Sequence, residues 1–112
     1  VKRTLGRDAC IVCILGESEF RSADSKLFVE AMAVKLGAAV GLKAKFVTGG
    51  MTGVQETFAM HCGDGSRVWN VLPSGQTCNA RRGTDIVAGT DLDESRAIFG
   101  LVGDVYITVE GG

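Results

Sequence analysis

Short apolar segments alternate with stretches of helical periodicity along this chain. Four segments have the length and composition of buried strands: Ala9 to Leu15, Ala44 to Thr48, Val68 to Leu72, and Asp104 to Val109. Pro73 ends the third of them, because proline cannot donate to a sheet ladder. The turn-rich stretch from 74 to 90 is the least regular part, and only residues 86–88 within it have the pattern of a further short strand.

The first helix is predicted over Asp24 to Leu36. Its apolar residues Leu27, Ala31 and Val34 recur at i, i+4 and i+7, which predicts that they form the buried face. Gly37 follows directly and is the expected C-terminal stop, since glycine readily ends a helix.

Two further helices are predicted nearer the C-terminus. One spans Gly53 to Cys62 and carries Val54 and Phe58 on a single face. The other begins at Asp91, which has capping-box-like spacing to Glu94. Each of these helices separates two predicted strands.

Strands that alternate with helices are typical of βαβ units and a parallel sheet. Right-handed crossovers and the usual doubly wound arrangement predict the strand order 3-2-1-4. We therefore expect an α/β fold, a Rossmann-like three-layer domain formed by residues 1–112, in which the first and last strands are neighbours. The loops at the carboxyl ends of those strands would then open on one crevice, the usual ligand site of such sheets.

The chain has 112 residues, 46% of them hydrophobic and 22% charged, and a net charge of −1. This charge provides no basic field, so nucleic acid is not an expected partner. No apolar run approaches the roughly 18 residues of a membrane span, and residues 1–8 contain no apolar stretch of the secretory type. We expect a cytoplasmic protein without membrane contact and, because so small a domain buries limited surface, a homo-oligomer, either a dimer or a tetramer.

The cysteines raise the question of a metal or disulfide site. Cys10 and Cys13 have C-x-x-C spacing, but residues three apart on a strand point to opposite faces and cannot hold one ion. Cys62 and Cys78 form no second pair at ligand spacing, and His61 is the single histidine. We therefore expect buried, reduced thiols and no metal site.

The strongest candidate for chemistry is the segment VTGGMTGV, which joins a predicted buried strand to the start of a helix. Its glycines let the backbone turn tightly and approach a ligand closely. The N–H groups from Met51 to Val54 would face outward at the positive end of the helix dipole, an arrangement typical of phosphate sites. The candidate phosphate-binding residues are Gly49, Gly50, Met51, Thr52, Gly53 and Val54. The alternative is a tight turn in which glycine only provides positive φ.

Two further strand ends carry glycine and are predicted at the same edge. The candidate nucleotide-binding residues there are Gly16, Glu17, Ser18, Glu110, Gly111 and Gly112. A hydroxyl such as that of Ser18 suits a phosphate or sugar, and the carboxylate of Glu17 suits a ribose or base; the alternative is a helix start rich in capping residues. Arg96, in the helix before the last strand, either reaches the crevice as a clamp for a phosphate or carboxylate or faces solvent.

Three sequence segments occur in an order that resembles a known family. They are VTGGMTGV, then NVLPSG from Asn70 to Gly75, then SRAIFGLVGDVYITVEGG from Ser95 to Gly112. Together they resemble the LONELY GUY (lysine decarboxylase-like) superfamily, in particular its molybdenum cofactor carrier protein branch, over nearly the whole chain. The resemblance implies a Rossmann-like sheet, a phosphate held by the second-strand glycine loop, and a site arginine at the position of Arg96.

The family continues with Pro-Gly-Gly-x-Gly-Thr and a glutamate on the following helix. Here Glu110 replaces the proline, Gly111 and Gly112 match, and the sequence stops, so the domain is expected to be truncated at its C-terminus. Hydrolases of the family use the arginine and that glutamate to cleave the N-glycosidic bond of a nucleoside 5′-monophosphate, through an oxocarbenium-like transition state that a carboxylate stabilises.

Three functions stay open on this sequence. The first is binding of a phosphorylated small molecule, either a nucleoside monophosphate or a cofactor such as the molybdenum cofactor. The second is a phosphoribohydrolase in which Arg96 is catalytic and the glutamate lies outside this sequence. The third is a non-catalytic interaction module whose glycines are only turns.

Overall fold

The structure, a computed structural model, describes residues 10–16, 19–39, 44–63, 66–75 and 83–109. Within these residues, five strands form one parallel sheet and three helices pack on it. The strands are β1 (Cys10–Gly16), β2 (Ala44–Thr48), β3 (Val68–Leu72), β4 (Thr84–Val87) and β5 (Val105–Val109). The helices are α1 (Ala23–Ala39), α2 (Val54–His61) and α3 (Leu92–Val102). None of these three helices is long and apolar enough to cross a membrane.

The sheet has the strand order β4-β3-β2-β1-β5. The four strands predicted from the sequence keep their expected relative order, with the last beside the first, but the predicted order 3-2-1-4 lacks one strand. The added strand is β4, which pairs with β3 from Trp69↔Thr84 to Leu72↔Val87. It is largely exposed at the edge of the sheet, so it needs no continuous apolar run and gives only a weak signal in the sequence.

Each face of the sheet packs against its own helical layer. On one face, Val29 of α1 and Phe58 of α2 pack around Phe46 of β2, and the two aromatic rings meet edge to face with centroids 5.2 Å apart. On the other face, Phe99 and Val102 of α3 pack in a second core. The result is the Rossmann-like three-layer α/β architecture.

Helix α1 packs through a different face from the one predicted. Leu27 and Val34 are 62% and 56% exposed and Ala31 is exposed as well, whereas Val29 and Ala33 are buried. This helix carries apolar residues on nearly every side, so periodicity alone does not decide which side contacts the sheet. An exposed apolar helix face is typical of protein interfaces, and the homo-oligomer stays a prediction.

Gly37 is not the stop of α1, which continues to Ala39. A Cβ on Gly37 would overlap the backbone carbonyl of Cys62, just after α2. The carbonyl of Gly37 also accepts a hydrogen bond from the side chain of Arg67. Glycine is therefore required here by the close approach of two backbones, which is a tertiary contact, and not by helix termination.

The predicted starts of the other two helices are confirmed. Helix α2 begins after Gly53, and its first residue, Val54, is fully buried. Asp91 caps α3 by accepting a hydrogen bond from the N–H of Glu94 at 2.9 Å. The carboxylate of Glu94 accepts from the hydroxyl of Thr90 at 2.8 Å, so these acids stabilise the start of α3.

The cysteines differ in exposure. Cys13 is buried in the core that faces α3 and Cys62 is also buried, but Cys10 is exposed, so the prediction of buried thiols is wrong for Cys10. Cys78 lies outside the described residues. Within the described ranges, no three side chains of histidine, cysteine, aspartate or glutamate come together in a group that could hold a metal ion.

Cys13 is expected to make stability depend on pH. Burial raises the pKa of its thiol from 9.0 to about 11; a hydrogen bond with Tyr106 lowers it in part, and the Asp104 carboxylate raises it. Because the unfolded chain then loses this proton first, the contribution of the neutral thiol is complete below pH 9 and is lost as the pH rises towards about 11. Urea unfolding should therefore show the stability difference between wild type and Cys13→Ala shrinking over this pH range, and a constant difference would contradict it.

Candidate functional site

The carboxyl ends of β1 and β5 meet the start of α2 at one edge of the sheet. Gly16, the last residue of β1, pairs with Val109, the last residue of β5. A Cβ on Gly16 would overlap the side chain of Val54. Glycine is needed at this position because the end of β1 abuts the first residue of α2. The glycine loop between β2 and α2 is thereby held close to the carboxyl ends of β1 and β5.

The glycine loop, defined here as residues 49–53, needs glycine at two positions. Gly50 has φ 70°, and Gly53 has φ 77° and ψ −124°, a backbone conformation that residues with a Cβ rarely adopt. Gly53 is the N-cap of α2, and no side chain among the described residues caps this helix. Met51 and Thr52 are exposed at the tip of the loop. The loop is therefore an exposed turn at a helix start that lacks a side-chain cap.

One buried side chain lies against this loop. Gln55, the second residue of α2, is 7% exposed. Its Oε1 accepts hydrogen bonds from the backbone N–H of Gly49 at 2.6 Å and from that of Met51 at 3.4 Å. The expectation that the N–H of Met51 faces outward is therefore wrong, because this donor has an acceptor within the chain. Two backbone amides that converge on one oxygen have the geometry of an anion-binding nest.

A chain of hydrogen bonds fixes the loop to three strands. The Thr48 hydroxyl accepts from the N–H of Gly50 at 3.0 Å and donates to Oδ1 of Asn70 at 2.5 Å. The side-chain amide of Asn70 donates to the Asp85 carboxylate at 3.2 Å. Thr48 and Asn70 are at most 1% exposed, so the hydrogen bonds that anchor the base of the loop lie in a region of low dielectric constant.

Sequence reasoning assigned no role to Gln55, Thr48 or Asn70. For two of these residues a signal was present, because Thr48 and Asn70 are polar residues within apolar strands, and buried polar groups need partners. Gln55 gave no comparable signal, since a glutamine in the first turn of a helix is ordinary.

Arg96 lies in the second turn of α3, on the opposite face of the sheet from α2. It is exposed, and no hydrogen bond or ion pair joins it to another described residue. Helix α3 follows the carboxyl end of β4, so its first residues lie towards the edge of the sheet where the strands end. The participation of Arg96 in a site stays a prediction.

The remaining candidates divide into two groups. Gly16 and the loop residues from Gly49 to Val54 are brought together, although the side chain of Val54 is fully buried. The other candidates lie outside the described residues: Glu17, Ser18, Glu110, Gly111 and Gly112. The role of each residue in binding stays a prediction.

The three-layer fold is shared with solved structures, although no protein-family model and no curated protein matches the chain. The X-ray structure of TM1055, a structural genomics target, has a TM-score of 0.75 at 16% identity and covers 91% of this chain and 61% of its own. The Moco carrier protein from Chlamydomonas reinhardtii has a TM-score of 0.72 at 19% identity, and the match covers 93% of this chain and 64% of that protein. The chain spans less than two thirds of the length of either, and these likenesses show the fold.

Proposed function

We propose that this chain binds a phosphorylated small molecule at the glycine loop. The observation that carries the proposal is the convergence of the Gly49 and Met51 amides on a single oxygen, 2.6 and 3.4 Å away. A phosphate oxygen satisfies the same two donors and, because it is charged, forms stronger hydrogen bonds with them. The positive end of the α2 dipole, which has no side-chain cap among the described residues, favours an anion at the same place.

The ligand we propose is a nucleotide or a phosphorylated cofactor. The loop lies beside the junction of β1 and β5, and β1 is the strand at which the connections change direction across the sheet. In open α/β sheets, the crevice at such a point takes nucleotide-like ligands. Similarity of fold to the Moco carrier protein adds the molybdenum cofactor to the ligands we propose, and its phosphate is the part that suits this loop.

A charge at the tip of the loop should weaken binding without changing the backbone. Met51 is 36% exposed, and its own N–H is one of the two converging donors. Met51→Glu places a carboxylate beside the proposed phosphate position, and Met51→Gln changes the side chain without the charge. We expect the affinity for AMP and ribose 5-phosphate to be about fivefold lower in Met51→Glu than in Met51→Gln, by isothermal titration calorimetry at low salt.

The same titrations include two controls. Binding of adenosine, which has no phosphate, should be equal in the two variants, and added salt should reduce the difference measured with AMP. Equal affinities of Met51→Glu and Met51→Gln for AMP would contradict the proposed position of the phosphate. A wild-type chain that binds neither AMP, ribose 5-phosphate, molybdenum cofactor nor inorganic phosphate would overturn the proposed function.

A further inference from the structure

The Gln55 side chain occupies the concave side of the glycine loop. Its Oε1 is the shared acceptor for the N–H groups of Gly49 and Met51, and a Cβ on Gly49 would lie only 3.1 Å from this oxygen. Gln55 is 7% exposed, so nearly all of its side chain lies inside the fold. An oxygen that accepts from two converging amides stands where an anionic ligand oxygen would stand.

We propose that Gln55 is an internal cap that competes with the ligand for this position. In the ligand-free chain the amide oxygen satisfies the Gly49 and Met51 donors, and a phosphate oxygen displaces it on binding. This inference rests on the proposed function, because it assumes that the glycine loop receives a phosphate. It adds to that function a residue that sets which ligands can enter.

The cap makes the site selective for charged oxygens. A neutral hydroxyl that displaces Gln55 exchanges one neutral hydrogen bond for another and gains little. A phosphate oxygen replaces neutral hydrogen bonds with charge-assisted ones, which are about twice as strong. Gln55 therefore lowers the affinity for every ligand but excludes neutral ligands most effectively.

Two substitutions of Gln55 by residues of similar size change the strength of the cap in opposite directions. Gln55→Met keeps the length of the side chain but removes the strong acceptor, so nothing competes with phosphate for the two amides. Gln55→Glu replaces the amide oxygen with a carboxylate, which binds the amides more strongly and repels phosphate. Combining Gln55→Glu with Glu56→Gln keeps the net charge of the chain at its wild-type value and moves the negative charge by one residue.

We would titrate the full chain and these variants with AMP and with inorganic phosphate by calorimetry, and measure their melting temperatures without ligand. We expect Gln55→Met to bind AMP about threefold more tightly while melting at a lower temperature, because the loop amides lose their partner. We expect Gln55→Glu, alone or with Glu56→Gln, to bind AMP about tenfold more weakly while melting at a higher temperature.

Opposite shifts in affinity and melting temperature are the signature of a competing cap. A purely structural role for Gln55 would make Gln55→Met both less stable and weaker in binding, and this result would overturn the cap while leaving the proposed function in place. Failure of every chain to bind AMP, ribose 5-phosphate, molybdenum cofactor and inorganic phosphate would overturn the proposed function itself, and the cap with it.

Discussion

We expect Gly53→Asp to weaken the binding of AMP by about a hundredfold, because a carboxylate at the start of the helix puts a fixed negative charge there and repels a phosphate. Gly53 is the N-cap of α2 and belongs to the glycine loop, so the new carboxylate would lie close to the position proposed for the phosphate. It would act as a fixed anion bound to the chain. Calorimetric titration of AMP and ribose 5-phosphate measures the effect.

Gly53→Ala is the matched control for this substitution. Both variants place a Cβ on a residue with φ 77° and ψ −124°, which costs about 1–3 kcal/mol of stability in either case. The alanine variant has the strain without the charge, so the difference in affinity between the two variants reports the carboxylate alone. If both variants fold and bind AMP equally, the N-cap of α2 is not the phosphate position.

A substitution at Gly16 is expected to lower the stability of the fold. Gly16→Ala should lower the free energy of unfolding by about 3 kcal/mol, since the new methyl group would overlap the fully buried Val54 side chain. Both residues lie on regular elements, β1 and α2, so neither backbone can move without disturbing its own hydrogen bonds. Urea unfolding of the wild type and the variant measures this difference.

Val54→Gly tests whether this contact is the cause. It removes every side-chain atom that the Gly16→Ala methyl group would overlap, although it leaves a cavity of its own. We expect the double variant to be at least about 1 kcal/mol more stable than the sum of the two single losses predicts. Strictly additive losses would show that the end of β1 and the start of α2 do not contact each other as described.

Local patterns were sufficient for the elements around the site. The bounds of β2 and β3 match those predicted from the mostly apolar runs Ala44 to Thr48 and Val68 to Leu72, because central strands that are largely buried on both faces leave a strong hydrophobic signal. Asp91 marks the start of α3 for an equally local reason, since its side chain bonds an amide three residues later. The position of the glycine loop followed from these neighbours.

Features that depend on tertiary contacts could not be obtained in this way. Helix α1 is apolar on several sides, and only its packing on the sheet selects Val29 over Leu27 as a core residue. Gly37 has the pattern of a helix stop, yet its cause is the carbonyl of Cys62, 25 positions away. The role of Gln55 also depends on a contact that its own sequence neighbourhood does not reveal, because its Oε1 reaches the N–H groups of Gly49 and Met51 only in the folded conformation of the loop.

The position of β1 between β2 and β5 has a consequence for how the chain reaches its native state. The N–H of Ile11 donates to the Asp104 carboxylate at 2.9 Å, a contact between residues 93 positions apart. As the nascent chain leaves the ribosome, β1 emerges long before β5. The edge of β1 that pairs with β5 therefore stays unpaired until β5 has been synthesised. A contact between residues so far apart in the sequence slows folding and leaves one edge of β1 open to pairing with other nascent chains.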